Sequence, residues 1–386
     1  MFRRVLTFVV GLTVLPAGAA PYTPKNDADV LERLPARAND PAMAELRRLR
    51  SAVSAAPGDA GAAAGLALRY FDLANEQGDP RYVGYAEAAL RPWAGDGAPV
   101  EVLFTRGLLR QYRHDFAAAL HDLAGVLALD PSHVGARAWR AAIYMVQADY
   151  RAAAQECARL REHASVLLAT GCSAYVDATT GKARVAYEKL SLTLRQNSGA
   201  SAQAKLWALT RLAEIAWRLG DYAAADAHFN QALALGADDQ YLLAAYADFL
   251  LERARAREVI GLLKSWTRAD SLLLRLALAE RALGMPETEP HVQALGERFA
   301  AAALRGERLH MGEEARFLLE LKHDARGAVA VAAENWTTQR EPRDAAVFLE
   351  SAAAARDPQA AAPVLRWLDE SGYESERLRR AAAGLR

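Results

Sequence analysis

The residues of this 386-residue chain that could do chemistry are few and widely separated. The sequence contains no Gly-rich phosphate loop, no HExxH motif and no CxxC motif. Gly171-Cys172-Ser173-Ala174-Tyr175 surrounds a nucleophile-like position with small residues, but it lacks the second glycine of a nucleophile elbow. No two of the eight histidines are spaced three or four residues apart, so a zinc site is not expected.

The acidic pairs fit acid–base catalysis no better. Glu313-Glu314 and Glu374/Glu376 are interpreted as solvated helix faces or as charges at helix starts. We therefore predict that the protein is not an enzyme and that it carries no catalytic residue, no cofactor and no metal. Its function must then depend on a surface that the fold creates.

The first twenty residues have the pattern of an export signal. Arg3-Arg4 precede the apolar run Val5–Leu15, whose eleven residues are too few to span a bilayer. Ala17-Gly18-Ala19-Ala20 offers the small residues that signal peptidase requires. We predict a signal peptide at residues 1–20, cleaved after Ala19 or Ala20, and a periplasmic or secreted protein. An uncleaved anchor is the alternative.

Composition and charge limit the classes of partner. Only six of the 47 basic residues are lysine, which is typical of a GC-rich bacterial genome. Cleavage would leave 45 basic and 47 acidic residues, a formal charge of −2. That balance favours neither nucleic acid nor an anionic membrane surface, so neither is expected as a partner. After cleavage, no later apolar run is long enough to predict membrane insertion.

Apolar periodicity predicts helices throughout the rest of the chain. Apolar residues make up 52% of the sequence and alanine dominates them, which favours helix over sheet. Leu209, Leu212, Ala213 and Ala216 recur at helical spacing, and a second such face follows a few residues later. Gly220 stands between the two faces, where a residue that tolerates positive φ can end the first helix.

The order of large and small residues in 206–237 resembles the tetratricopeptide repeat, a helix–turn–helix unit of 34 residues. Similar units begin near residues 60, 100, 134, 167, 206 and 239, so the repeats are expected to cover 60–265. The resemblance implies an all-α, right-handed α-solenoid of stacked helical hairpins. An irregular helical bundle is the alternative interpretation.

The two ends of the chain lack the repeat pattern. Residues 21–59 are rich in proline, and they are predicted to form a linker and a lead helix that starts near Pro41. Residues 266–386 keep helical periodicity without the repeat signature. They are interpreted as divergent helical hairpins and a C-terminal cap, because the last unit of a solenoid must present a polar outer face. A separate helical domain is the alternative.

The resemblance also implies a concave groove lined by the first helix of each unit. Aromatic residues, methionine and arginine are the types that anchor binding surfaces. The alternative is that several of these side chains pack between neighbouring first helices. The candidate groove residues are Phe104, Leu108, Gln111, Tyr112, Met145, Tyr175, Trp207, Glu214, Trp217 and Arg218.

The two cysteines, Cys157 and Cys172, fall on neighbouring helices of this scheme. The turn between them centres near Ala164, so the two positions face each other across an antiparallel pair. Small flanking residues permit the close approach that a disulfide requires, and an oxidising compartment would allow the bond. Two buried thiols are the alternative.

These observations favour an exported, non-catalytic scaffold that mediates protein–protein or protein–peptide interaction in the bacterial envelope. The alternative function is a superhelical accessory component of a cell-wall or exopolysaccharide machine, similar to the helical part of a lytic transglycosylase. That function would need a catalytic lobe, for which the divergent C-terminal residues leave little room. The sequence does not identify the partner or the oligomeric state.

Overall fold

The computed structural model describes residue 26, residues 41–237 and residues 239–386, apart from the side chains of residues 41 and 42. In this part of the chain every regular element is a helix. Contacts divide the chain into residues 1–45 and residues 46–386, and every helix after the first lies wholly in the second unit. The predicted signal peptide and most of the predicted linker lie outside the described residues.

The α-helices are numbered here in chain order. They are α1 (Pro41–Ala55), α2 (Ala60–Gln77), α3 (Arg81–Leu90), α4 (Val100–Tyr112), α5 (Phe116–Leu129), α6 (Val134–Val146), α7 (Tyr150–Leu160), α8 (Val166–Thr179), α9 (Ala183–Gln196), α10 (Ala202–Arg218), α11 (Tyr222–Leu233), α12 (Gln240–Glu252), α13 (Ala256–Leu263), α14 (Asp270–Leu283), α15 (Thr288–Leu304), α16 (Met311–Arg316), α17 (Ala325–Trp336), α18 (Pro342–Ala355), α19 (Ala362–Ser371) and α20 (Glu376–Ala383). A 3₁₀ turn follows α3 at Arg91–Trp93, and a π-helical turn follows α16 at Phe317–Leu321.

The helices pack as hairpins that follow the order of the chain. In the pairs α2/α3, α4/α5, α6/α7, α8/α9, α10/α11 and α12/α13 the two helices contact each other, and each first helix also contacts the next first helix. This stacking buries the apolar face that a single hairpin would leave in water. The expected all-α fold of sequential helical hairpins is confirmed. Its right-handedness stays a prediction.

The turns inside the hairpins show how the sequence ends one helix and starts the next. In three of them a residue with positive φ is followed by an aspartate N-cap, whose carboxylate accepts the backbone N–H three residues later. The three caps are Asp115 before α5, Asp149 before α7 and Asp221 before α11. The hairpins α2/α3, α8/α9 and α12/α13 differ, because the residue before the second helix makes no side-chain capping hydrogen bond; these residues are Pro80, Lys182 and Arg255.

The last helices fold back on the hairpins that precede them. Trp336 and Trp367 are buried in a separate apolar cluster formed mainly by α17–α20. The indole Nε1–H of Trp367 donates to the hydroxyl of Tyr150 at 2.7 Å, in the third hairpin. The Arg340 amide donates to the Val146 carbonyl at 2.7 Å. The C-terminal helices therefore continue the stack and also contact turns about 200 residues earlier.

A second long-range contact joins the first hairpin to the sixth. The side-chain amide of Gln240, at the start of α12, donates to the carbonyl of Asn75 near the end of α2. Gly78 ends α2 with φ +66°, and a Cβ added there would lie 2.5 Å from the Cβ of Ala269. Glycine is required at this turn by the positive φ and by the close approach.

The structure joins Cys157 on α7 to Cys172 on α8 by a disulfide with a Cα–Cα distance of 5.4 Å. Both residues are buried in the apolar cluster that connects the third hairpin to the fourth. The bond therefore links two neighbouring hairpins across the turn at residues 161–165.

Candidate functional site

The candidate site is a central cavity of about 190 Å³ on the side of the stack formed by the first helices. Residues of α8, α10, α12, α14, α16, α18 and α20 line it, together with Tyr222 at the start of α11 and the segment that joins α19 to α20. Seven arginines and seven acidic side chains face it, so its lining has no formal net charge. Recognition in this cavity must therefore depend on the positions of individual charges.

A column of alternating aromatic rings and guanidinium groups crosses the cavity wall. The guanidinium of Arg211 on α10 lies between the rings of Tyr175 and Tyr241, at 4.7 and 4.5 Å from their centroids. The guanidinium of Arg343 on α18 follows at 5.6 Å from the Tyr241 ring. Such cation–π contacts gain strength where water is excluded. The column thus joins three successive first helices to the C-terminal helices.

Glu214 fixes this column at its centre. It accepts a hydrogen bond from the Tyr241 hydroxyl at 2.6 Å and pairs with Arg211 at 3.0 Å. Burial raises the pKa of Tyr241 well above its usual value, which keeps the hydroxyl protonated as a donor. Arg343 lines the cavity, and 45% of its side-chain surface is accessible. Its guanidinium therefore faces the cavity.

A buried ion triad closes the far end of the cavity. The Asp248 carboxylate on α12 accepts from Arg275 at 2.6 Å and from Arg316 at 2.5 Å. Burial alone would raise the pKa of Asp248, but the two guanidinium groups outweigh it and hold that pKa well below its usual range. The triad ties α12, α14 and α16 together through charge-assisted hydrogen bonds.

The first turn of α18 places two more carboxylates at the cavity. Glu341 and Asp344 form a reciprocal capping box, in which each side chain accepts the other residue's backbone N–H. Burial and the neighbouring Glu341 charge raise the pKa of Asp344 to about 7. Glu341 also pairs with Arg343 at 2.6 Å. This helix start therefore holds a carboxyl group that titrates near neutrality.

The segment between α19 and α20, together with the first turns of α20, covers the remaining side of the cavity. The ring of Tyr373 lies 4.6 Å from the guanidinium of Arg218 on α10. Arg377 lies 3.7 Å from Glu252 on α12, and Glu252 also accepts from the indole of Trp217 at 3.0 Å. The chain's own C-terminal segment thus occupies the cavity-lining side of the fifth and sixth hairpins, which is called the concave face.

The predicted groove residues divide into two groups. Tyr175, Glu214, Trp217 and Arg218 line the cavity. The other six lie elsewhere, and three of them have defined packing partners. Trp207 packs its ring against Gly171 on α8, Phe104 stacks on His133, and Tyr112 contacts Phe71. Leu108 and Met145 are buried, and Gln111 is half-buried.

Several cavity residues were missed by the sequence analysis. Arg343, Tyr373 and Arg377 lie in the region that lacks the repeat pattern, so no register connected them to the groove. Asp248 and Arg275 carried a usable signal, because each is a single charge within a local run of apolar residues, AAYADFLL and LLLRLALA. A buried charge of this kind must have a partner, which marks it as part of an ion network.

Neither a metal site nor a membrane span is found in the part of the chain that the structure describes. No group of three His, Cys, Asp or Glu side chains there could hold a metal ion. Among the same residues, no helix has both the length and the hydropathy that crossing a bilayer requires.

No protein-family model and no curated protein matches the sequence. Among solved structures, the chain is similar to yeast Tom70, with 15% identity and a TM-score of 0.37 over 84% of this chain and 62% of that one. It therefore spans less than two thirds of the Tom70 chain. The TPR domain of P58(IPK) matches with 14% identity and a TM-score of 0.22 over 89% of this chain and 92% of that one. The fold assignment rests on the sequential hairpins described above.

Proposed function

We propose that the protein is an exported, non-catalytic scaffold that binds a protein or peptide partner in the bacterial envelope. The observation that carries this proposal is the cavity formed by α8, α10 and α12. It gathers Tyr175, Glu214, Trp217 and Arg218 from successive hairpins onto one side of the stack. Tyrosine, tryptophan and arginine are the residue types that supply most of the binding energy at protein interfaces.

The dimensions of the cavity favour a segment of a partner over a folded surface. A volume of about 190 Å³ accommodates a few side chains. The rings of Tyr175, Trp217 and Tyr241 offer apolar contacts, and the fixed charges beside them would set the direction of a bound chain. A helical or extended peptide laid along the first helices fits this arrangement.

Two features support the proposed location. The disulfide between Cys157 and Cys172 is the kind of bond that persists in oxidising compartments such as the periplasm. The N-terminal sequence has the charge, the apolar run and the small residues of a secretory signal. N-terminal sequencing of the protein from an envelope fraction should give a chain that starts at Ala20 or Pro21. A chain that starts at Met1 would contradict export by this route.

Site-specific photo-crosslinking tests the binding surface. A crosslinker at Trp217 should capture one envelope protein, because this side chain lines the cavity. Ala227, which is exposed on α11, serves as the matched control on the same hairpin. Equal capture from the two positions, or none from Trp217, would count against a partner in the cavity.

A further inference from the structure

The contact between the C-terminal segment and the concave face consists of separate polar interactions. Tyr373 stacks on Arg218, and Arg377 lies 3.7 Å from Glu252. Between them, Glu374 Oε2 accepts the backbone N–H of Ala183 at 2.7 Å. These contacts involve α10, α12 and α9, so the segment runs across three successive hairpins as a bound peptide would.

The Glu374 contact fills a position that the solenoid leaves open. The second helices α5, α7 and α11 carry their own aspartate caps, whereas the residue before α9 is Lys182, without a capping hydrogen bond. Glu374 brings a carboxylate to this helix start from 191 positions away in the sequence. Both the unpaired N–H groups and the helix dipole favour an anion at this position.

The C-terminal helices also hold the segment: the Tyr373 ring lies 5.5 Å from that of Trp367, and Arg377 donates to Glu350 on α18 at 2.8 and 3.0 Å. Leu378, Ala382 and Leu385 are buried against Trp336 and other residues of the C-terminal cluster. The segment also has water on both sides, because a second cleft of about 620 Å³ shares Arg218 and Tyr373 with the central cavity. Half-exposed ion pairs and single stacking contacts contribute little each, so residues 373–377 can leave the concave face while Leu378, Ala382 and Leu385 keep the rest of α20 in the cluster.

We propose that residues 373–377 act as an internal ligand, and that a protein partner binds the concave face by taking their place. The partner would present an aromatic side chain, a carboxylate at the next position and an arginine about one helical turn later. These groups would contact Arg218, the start of α9 and Glu252 respectively. This inference rests on the proposed function and names the chemistry of its partner.

Competition from the internal segment makes the proposal measurable. A site that its own chain occupies most of the time binds an added peptide with an apparent Kd raised by the occupied fraction. The probe is a fluorescein-labelled peptide with the sequence of residues 371–386, added to the full chain and followed by fluorescence anisotropy. The Y373A/R377A protein should bind it about tenfold more tightly than the unmodified protein does.

Three controls distinguish displacement of residues 373–377 from a general loss of structure in the protein. The R366A protein, whose altered side chain is exposed on α19 and lines neither cleft, should bind like the unmodified protein. A protein that combines R218A/E252A with Y373A/R377A should lose the gain in affinity. A peptide in which the same Tyr and Arg are replaced by Ala should not bind. If Y373A/R377A does not fold, E374Q provides the test, because it removes one charge without changing side-chain size. It should tighten binding about threefold.

Equal affinity for the unmodified and altered proteins, or a gain that survives R218A/E252A, overturns the internal-ligand proposal. If peptide binding shows no gain while the crosslinker at Trp217 still captures one envelope protein, this inference fails and the proposed function stands. If the peptide gain appears but nothing is captured at Trp217, the segment is displaceable and the proposed envelope partner is contradicted.

Discussion

Asp248→Asn should be among the most destabilising single changes in the stack. The carboxylate of Asp248 lies between the guanidinium groups of Arg275 and Arg316, at 2.6 and 2.5 Å. The three side chains are only 16%, 4% and 13% exposed, so water cannot replace the lost charge. Removal of one partner from a buried ion network costs about 3–5 kcal/mol. We expect a loss of that size in the free energy of unfolding.

The chain offers a matched control on the same arginine. Glu320 pairs with Arg316 at 2.6 Å, but its side chain is 34% exposed and faces water. Glu320→Gln should therefore cost less than about 1 kcal/mol. Urea unfolding followed by circular dichroism at pH 7 measures both changes. If Asp248→Asn and Glu320→Gln cost the same, then the triad does not hold α12, α14 and α16 together.

The pH dependence of the Asp248 effect follows from the sign of its pKa shift. The two arginines hold the folded-state pKa below the unfolded value of about 3.9. The stabilisation is therefore fully present above that unfolded value and is lost as the pH falls through the folded one. The stability difference between the unmodified protein and Asp248→Asn should stay constant from about pH 8 to about pH 5 and shrink below about pH 4. A difference that grows on acidification would refute the assignment.

The remaining predictions concern the disulfide, a packed glycine and a titrating carboxyl group. Cys157→Ala/Cys172→Ala should lower the free energy of unfolding by about 3 kcal/mol, since the bond closes a loop of 15-residue separation; equal urea midpoints for oxidised, reduced and altered protein would contradict this. Gly171→Ala should cost about 1–3 kcal/mol, because the new Cβ would lie 2.1 Å from a tryptophan ring. Gly65→Ala, with open space around it, should stabilise by about 0.5–1 kcal/mol in the same assay, and equal effects would refute the packing argument. The Asp344 pKa is raised to about 7, so the unmodified protein should lose stability as the pH rises from about 4 to about 7, and Asp344→Asn should not; parallel pH profiles would contradict that pKa.

The order of the hairpins could be predicted from sequence because it depends on local periodicity. Leu212, Ala213 and Phe229 are all buried, and their spacing is set by helices that contact each other within about 30 residues. The same register predicted Trp217 and Arg218 as groove residues, and both line the cavity. It also included Trp207, which packs on Gly171, because spacing alone does not distinguish a groove position from a contact between first helices.

The closure of the cavity could not be predicted in this way. It depends on Tyr373, Glu374 and Arg377, which contact partners between about 125 and 190 residues away through single side chains. No repeat relates these residues to Arg218 or to the start of α9. Charged side chains are usually solvated, so helical periodicity does not predict that these residues contact the cavity.

The contact between Gln240 and the end of α2 changes how the stack of hairpins should unfold. An open array of repeats interacts only between neighbours, so its terminal units can melt one at a time while the middle persists. Here the first hairpin is joined to the sixth by the hydrogen bond between Gln240 and Asn75, 165 positions apart in the sequence. Unfolding of either hairpin therefore breaks a contact of the other. Melting should thus proceed as one concerted event across the joined region, with no progressive fraying from the amino-terminal end.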